Sequence, residues 1–398
     1  MARLAPLHLS PRWSFQIERA SNVVRIKTIE PIAVSLPMVA PVKMAGETVV
    51  RADNVLVRVE ADDGCVGWGE AASAPTMTGE TVASMMAAVA HMAPTLLQRR
   101  ADDFAGTMAA MDALMYGNSG AKAAIEIALH DLVGRATRRP VHALLGTKQR
   151  SRIAVLTVLG GSSTDGDRGD ALTRQAAGYR IFKIKVGVGS PEADAERTRV
   201  VCQALRGQGD PHCLISADAN QGWSVDEALL YLDAVDDCGL DFLEQPVAAH
   251  DLAGMARLAA ASRVLIGADE GIHSPDDVER HHAHGAARGV SLKAIKLGGL
   301  RALADACRRC DALGMSVNIS CKTGESSVAS AAALHAAAVA PAVAWGLTIT
   351  SPGLAEDVAV APLRVEAGSV AVPDRPGLGI EVDERRVRRR QEEFRRVA

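Results

Sequence analysis

The chain has 398 residues, of which 48% are hydrophobic and 23% charged, and its formal net charge is -3. This length exceeds the usual size of a single hydrophobic core and predicts more than one structural unit. The near balance of charges creates no general attraction for nucleic acid or anionic lipid, so neither is expected as a partner. A small molecule is the expected partner.

The cysteines and the apolar segments indicate where the protein works. Seven cysteines are scattered without the spacing of a disulfide framework, which favours a reducing compartment. The N-terminus lacks a signal-peptide pattern, and the longest apolar run, residues 328–345, is mostly alanine around His335. We therefore expect a cytoplasmic protein that does not enter a membrane, and we expect it to form a homo-oligomer.

The first part of the chain predicts a leader followed by a small α+β unit. Residues 1–23 show no periodicity and are assigned to a leader. From residue 24 to residue 150, apolar residues alternate along three segments and then recur at helical spacing over 81–97, 104–115 and 121–134. This pattern predicts an antiparallel meander covered by helices, which we interpret as an N-terminal capping domain.

Residues 151–355 change to a repeated strand–helix rhythm. The short apolar segments that read as strands are 153–159, 181–186, 214–217, 242–243, 264–266, 290–295, 316–319 and 343–347. Eight βα units in about 200 residues favour a closed parallel (β/α)8 barrel of the TIM type over an open sheet. The fold class is thus α/β. Residues 356–398 return to alternation and end in an arginine-rich helix, so this C-terminal segment is expected to complete the capping domain.

Charged residues follow the predicted strands at the end where barrel active sites lie. Asp218, Glu244 and Asp269 are 26 and 25 residues apart, about one βα unit each time. Three converging carboxylates would repel one another without a cation, and hard oxygen ligands suit Mg²⁺, or Mn²⁺, better than zinc. The alternative is structural, with each carboxylate capping a helix or pairing with a lysine.

Lysines accompany these carboxylates. Lys183 and Lys185 are two residues apart on one strand and share a face, while Lys293 comes from the sixth strand, opposite the second in an eight-stranded ring. Next to each other and to a cation, Lys183 and Lys185 are expected to have lowered pKa values, so that one can act as a base. Exposed surface lysines are the alternative, which the apolar flanking residues disfavour.

The motifs at these strand ends are KIKVG (183–187), DANQGW (218–223), DFLEQP (241–246), GADE (267–270) and LKAIKLGG (292–299). Together they resemble the enolase superfamily, specifically its muconate lactonizing enzyme subgroup within the mandelate racemase/muconate lactonizing enzyme family. Segments 121–146 and 376–384 resemble the same family, so the similarity covers most of the chain.

This resemblance implies a role for each site residue. Asp218, Glu244 and Asp269 would be the metal ligands, with Asn220 and Glu270 supporting them. Lys185 and Lys293 would be the opposed acid and base, and Lys183 would help to neutralise the substrate carboxylate. The implied reaction is Mg²⁺-dependent removal of the proton α to a carboxylate through a metal-stabilised enediolate, followed by racemisation, epimerisation or dehydration.

The chain departs from its better-known relatives at the substrate-binding positions. Thr323 stands opposite a strand-seven glutamate of the muconate enzymes, and Thr348 and Thr350 replace the Asp-x-Asp of dipeptide epimerases. With Lys322, these threonines are candidate substrate-binding residues.

Segments 41–47 and 321–327 resemble enzymes acting on hydroxyproline-type cyclic amino acids. The specific hypothesis is therefore a cis-3-hydroxy-L-proline dehydratase or a proline-derivative epimerase. The alternatives are a muconate-type cycloisomerase, a metal-independent Schiff-base aldolase using Lys293, and a metal-dependent binding protein without catalytic activity.

Overall fold

The N-terminal unit begins with a three-stranded antiparallel sheet. The structure is a computed structural model that describes residues 24–44, 47–160, 163–207 and 212–397, so the predicted leader lies outside it. The sheet order is β1 (Ile26–Met44), β2 (Glu47–Ala61) and β3 (Val66–Ala72). The tight turn between β2 and β3 contains Gly64 at φ 83°, a conformation that favours glycine. The predicted meander is confirmed.

Helices cover one face of this sheet. The helices on the sheet are α1 (Val82–Leu96) and α3 (Ser119–Ala136), and α2 (Phe104–Leu114) packs against both of them. A single turn, α4 (His142–Leu145), follows α3. α3 lies directly on β3, because a Cβ atom on Gly67 or Gly69 would come within 2.2 Å of the α3 backbone. Glycine at these two positions therefore allows the close approach that buries α3.

The second unit is an eight-stranded parallel barrel. Its strands, each hydrogen-bonded to the next, are β5 (Leu156–Leu159), β6 (Ile181–Lys185), β7 (Leu214–Asp218), β8 (Phe242–Glu244), β9 (Leu265–Ala268), β10 (Gly289–Leu292), β11 (Ser316–Ser320) and β12 (Leu347–Thr348). A parallel bridge between Val155 and Leu347 joins the last strand to the first. The predicted (β/α)8 barrel is confirmed. The predicted sixth strand ends earlier than expected, because a helical turn starts at Ala294.

Helices follow the strands in the expected alternation. They are α5 (Thr164–Ala176), α6 (Pro191–Gly207), α7 (Val225–Val235), α8 (Leu252–Ala261), α9 (Pro275–Ala283), the turn α10 (Ala294–Leu297), α11 (Leu300–Ala312) and α12 (Ser327–Val339). Several begin at a serine or aspartate cap; Ser224, for example, forms a capping box with Glu227 at the start of α7. No helix in the described ranges is long and apolar enough to span a bilayer.

The C-terminal segment touches both units. β13 (Ser369–Ala371) pairs with the short strand β4 (Arg152–Ala154) just before the barrel, rather than with the cap sheet. α13 (Glu384–Val397) reaches the cap, where Arg388 donates to Glu30 on β1 at 2.6 and 2.7 Å. The chain end thus completes the capping domain through its helix. The unit boundaries at 150 and 355 stay predictions.

An aromatic pair fills the interior of the barrel. Trp345 stacks on Phe242 with ring centroids 3.7 Å apart, and both residues are nearly fully buried. The Trp345 ring also lies over Gly267 and Gly289, where a Cβ atom would come within 2.9 and 2.2 Å of it. Small residues on β9 and β10 therefore make room for the large ring.

Candidate active site

Strand register brings the predicted site residues to one rim. Lys185 on β6 is the direct neighbour of Asp218 on β7, which is in turn the direct neighbour of Glu244 on β8. Asp269 directly follows β9, and Lys293 directly follows β10. All of these side chains face the same end of the barrel because parallel strands have the same direction.

Each carboxylate pairs with a lysine. Lys183 Nζ donates to both oxygens of Glu244 at 2.8 Å and lies 3.7 Å from Asp218 Oδ2. Lys185 Nζ donates to Asp218 Oδ2 at 2.7 Å, and Lys293 Nζ donates to both carboxylate oxygens of Asp269. The three carboxylates and Lys183 are at most 4% exposed, so water screens these pairs weakly.

The pKa shifts follow from this pairing. Burial alone would lower the pKa of Lys183, but Glu244 and Asp218 outweigh burial and raise it above its usual value. The same balance, with Asp269 as the main partner, raises the pKa of Lys293. The predicted fall in the pKa of Lys183 presupposes a divalent cation beside it and stays a prediction, whereas the pairing with Glu244 and Asp218 by itself acts in the opposite direction.

Asn220 and Glu270 lie beside the main residues, as the sequence suggested. Asn220 Oδ1 accepts from Lys185 at 2.6 Å, and Asn220 Nδ2 donates to Glu270 Oε1 at 3.0 Å. Asn220, Gln221 and Gln245 all have positive φ (43°, 68° and 36°), which is uncommon for residues other than glycine. Such backbone strain clusters at functional sites, where the surrounding structure maintains it.

A cavity of about 440 Å³ opens above these residues. The four candidate substrate-binding residues Lys322, Thr323, Thr348 and Thr350 also line it. Thr350 Oγ1 donates to the backbone oxygens of Lys322 and Glu325 at 2.8 and 3.1 Å, so its hydroxyl shapes the loop after β11. The apolar lining includes Met38 and Met77 from the cap and Cys321, Ile349 and Pro352 from the barrel.

Two groups of site residues were missed by the sequence interpretation. Lys296 contacts Asp269, and Ser291 Oγ donates to Glu244 Oε2 at 2.9 Å. Glu70 on β3 accepts from Ser326 and from the Ala329 N–H at the start of α12, which ties the cap to the strand-seven loop. The KxxK spacing of Lys293 and Lys296 could have identified Lys296 as a site residue, whereas no sequence pattern around Glu70 indicated its role.

The donor chemistry at the rim fits a hard divalent cation. Within the described ranges, no three His, Cys, Asp or Glu side chains are arranged as a ready-made metal cluster, because Asp218, Glu244 and Asp269 turn their oxygens to lysines. The three carboxylates nevertheless lie on consecutive strands and are buried, and they supply only oxygen donors, as Mg²⁺ prefers. They are the residues that could hold such an ion.

A parallel barrel with acidic residues at three consecutive strand ends and lysines on facing walls is the architecture of the enolase superfamily. Residues 28–146 match the family model described as the mandelate racemase / muconate lactonizing enzyme N-terminal domain. Residues 168–386 match the enolase C-terminal domain-like model. The chain belongs to the mandelate racemase/muconate lactonizing enzyme family.

Individual relatives cover almost the whole chain. Muconate cycloisomerase 1 of Rhodococcus opacus is 31% identical over 366 residues, which cover 90% of this chain and 96% of that protein. The L-Ala-D/L-Glu epimerase of Clostridium acetobutylicum is 31% identical over 89% of this chain and 98% of that protein. The crystal structure of the N-succinyl Arg/Lys racemase from Bacillus cereus superposes with a TM-score of 0.86 at 27% identity, covering 92% and 97% of the two chains. The protein is thus an enzyme of the isomerase and lyase type found in this superfamily.

Proposed function

We propose that this enzyme removes the proton α to a substrate carboxylate. The observation that carries the proposal is the relation between Lys185 and Lys293, which belong to β6 and to the end of β10. These strands are four apart in the eight-stranded ring, and both lysines line the same cavity. Their amines can therefore reach a bound carbon atom from opposite sides.

Asp218, Glu244 and Asp269 would hold a divalent cation, Mg²⁺ or Mn²⁺. Support comes from their burial, their oxygen donors and their position on consecutive strands. When bound, the ion would stabilise the negative charge that develops on the substrate carboxylate as the α proton leaves. Asn220 and Glu270 would support the arrangement through the hydrogen bond between them.

The chain's own residues would carry the proton. Either Lys185 or Lys293 takes it from the α carbon, and the other returns a proton from the opposite face, which inverts the centre. Removal of the proton together with a leaving group gives elimination instead, so the same lysines serve a racemase, an epimerase or a dehydratase. Lys183, whose ammonium lies between Glu244 and Asp218, would neutralise the substrate carboxylate.

The charged side chains that line the cavity indicate which charge the substrate's other groups can carry. Among the lining residues that the structure describes, the carboxylates are the three rim residues, and the other charged side chains are lysines and Arg174. A cationic substituent would therefore lack a counter-ion outside the rim. We propose a carboxylate substrate whose other groups are neutral or anionic, such as an N-acyl amino acid or a hydroxy acid.

This argument does not favour the hydroxyproline hypothesis. Hydroxyproline and other proline derivatives with a free ring nitrogen carry a cationic amine. The two relatives and the racemase structure are not named for such a substrate. A muconate-type cycloisomerase is the second candidate, favoured by the 31% identity to muconate cycloisomerase 1. Lys322 and Thr323 would line the substrate cavity in either case.

The test is α-proton exchange in ²H₂O. The protein is incubated with Mg²⁺ and a panel of N-acyl amino acids, hydroxy acids, proline derivatives and a muconate-type diacid, and the substrates are followed by NMR. We expect exchange or turnover with at least one compound and its loss in EDTA. A lack of turnover and exchange with every compound would count against the proposed substrate class. Activity that persists in EDTA, with a borohydride-trapped lysine adduct, would favour the aldolase alternative.

Matched variants test the two lysines. Lys185→Met and Lys293→Met should each lower the rate by at least about a hundredfold, the usual contribution of a positioned acid or base. Lys27→Met, on the cap, is the control, because the Lys27 side chain is 52% exposed and pairs only with Glu60 among described residues. Wild-type rates in the Lys185→Met, Lys293→Met double variant would refute the mechanism.

A further inference from the structure

Lys296 is a second lysine on the same carboxylate as Lys293. It lies on α10, one helical turn after Lys293, and is 1% exposed. Its ammonium donates to Asp269 Oδ1 at 2.6 Å, to the Ser291 backbone oxygen at 3.0 Å, and to the backbone oxygen of Asp269. All three N–H bonds of the ammonium are thus used, and they link the ends of β9 and β10.

The two lysines differ in what they face. Lys293 lines the substrate cavity, whereas Lys296 contacts Asp269 from behind and does not line that cavity. Lys293 must leave Asp269 if it is to reach a substrate carbon, since its ammonium donates to both carboxylate oxygens. The carboxylate of Asp269 could then turn unless another group held its orientation. Lys296 remains in place as the other partner.

We propose that Lys296 is a positioning residue that holds Asp269 in place while Lys293 serves as the acid or base. This inference rests on the proposed function, in which Asp269 is a metal ligand and Lys293 moves a proton. Lys296 itself never touches the substrate. It fixes the orientation of Asp269 through two bonds to that residue and a third to the neighbouring strand.

Binding of Mg²⁺ alone, measured by isothermal titration calorimetry without substrate, tests the proposal. Lys296→Met removes the ammonium but keeps the length of the side chain, and Lys293→Met is the matched variant one helical turn away. We expect the Kd for Mg²⁺ to weaken at least about tenfold in Lys296→Met and by a smaller factor in Lys293→Met. Lys296→Gln, which keeps a donor, should fall between Lys296→Met and wild type.

A purely structural role would give a different result. If Lys296 only joined β9 to β10, its loss would lower the melting temperature equally in EDTA and in Mg²⁺, with the Kd within twofold of wild type. That result, or a Kd tighter than wild type because a competing cation has been removed, would overturn the proposal. Failure of both Lys296 variants to fold would also show that Lys296 has a purely structural role, and it would overturn the proposal. The proposed function is tested separately by the wild type: if wild-type protein exchanges α protons and binds Mg²⁺, only the role of Lys296 is in question.

Discussion

Glu325 is predicted to make the protein less stable as the pH rises. Its side chain is 3% exposed, and one carboxyl oxygen accepts from the Lys322 N–H at 2.9 Å. Burial, with a further contribution from Glu70, raises the pKa of Glu325 from the usual 4.5 to about 8. The folded protein therefore keeps a proton that the unfolded chain releases near pH 4.5.

The sign and size of the effect follow from proton linkage. Between about pH 4.5 and about pH 8 the unfolded state binds fewer protons than the folded state, so a rise in pH favours unfolding. Each pKa unit corresponds to about 1.4 kcal/mol. The carboxyl of Glu325 should therefore lower the free energy of unfolding by on the order of 3 kcal/mol as the pH rises from about 5 to about 7.5. Glutamine has no proton to lose and avoids this cost.

Urea denaturation of wild type and Glu325→Gln at these two pH values measures the effect. The free energy of unfolding of the variant should rise relative to wild type by about 3 kcal/mol from the lower to the higher pH. Glu196→Gln, at an exposed position on α6, is the control and should show no such trend. A difference between wild type and Glu325→Gln that stays constant with pH would refute the reasoning, because it would mean that Glu325 is ionised in the folded protein.

Two further predictions concern packing and the link between the units. Gly289→Ala should lower the free energy of unfolding by about 1–3 kcal/mol, because the added Cβ would lie 2.2 Å from Trp345. Thermal denaturation measures the effect, with Gly169→Ala as the control, since a Cβ at Gly169 would meet open space. Equal shifts of the melting temperature in the two variants would contradict the packing argument. Glu70→Gln should cost about 1–3 kcal/mol, since one carboxylate oxygen that accepts from Ser326 and Ala329 is lost. Urea denaturation measures this cost, and an unchanged midpoint would show that the cap is not held through this residue.

Much of the site could be predicted because the barrel topology needs only local information. Parallel strands end at one rim, so the residue after each apolar segment is placed there by its position in the sequence alone. This argument found Asp218, Glu244 and Asp269 and the lysines of β6 and β10 without any knowledge of the packing. The motifs around them were sufficient to predict the family that the comparisons show.

The pKa of Lys183 shows where such local information ends. The sequence gives the number and sign of the charges at the rim, but a pKa depends on the distances between them. Whether an ammonium lies nearer to carboxylates or to other cations decides the direction of the shift. Lys183 lies 2.8 Å from Glu244, and this contact joins residues 61 positions apart in the chain.

The sequence by itself determined the class of fold, the order of the strands and the charged residues that β6 to β10 bring to the rim, because these depend on periodicity and spacing along the chain. The tertiary structure alone decided that Lys296 contacts Asp269, that Glu70 caps α12 and that Glu325 is buried deeply enough to keep its proton. Each of these facts depends on contacts and burial between segments distant in sequence, and such contacts arise only when the cap and the barrel pack together.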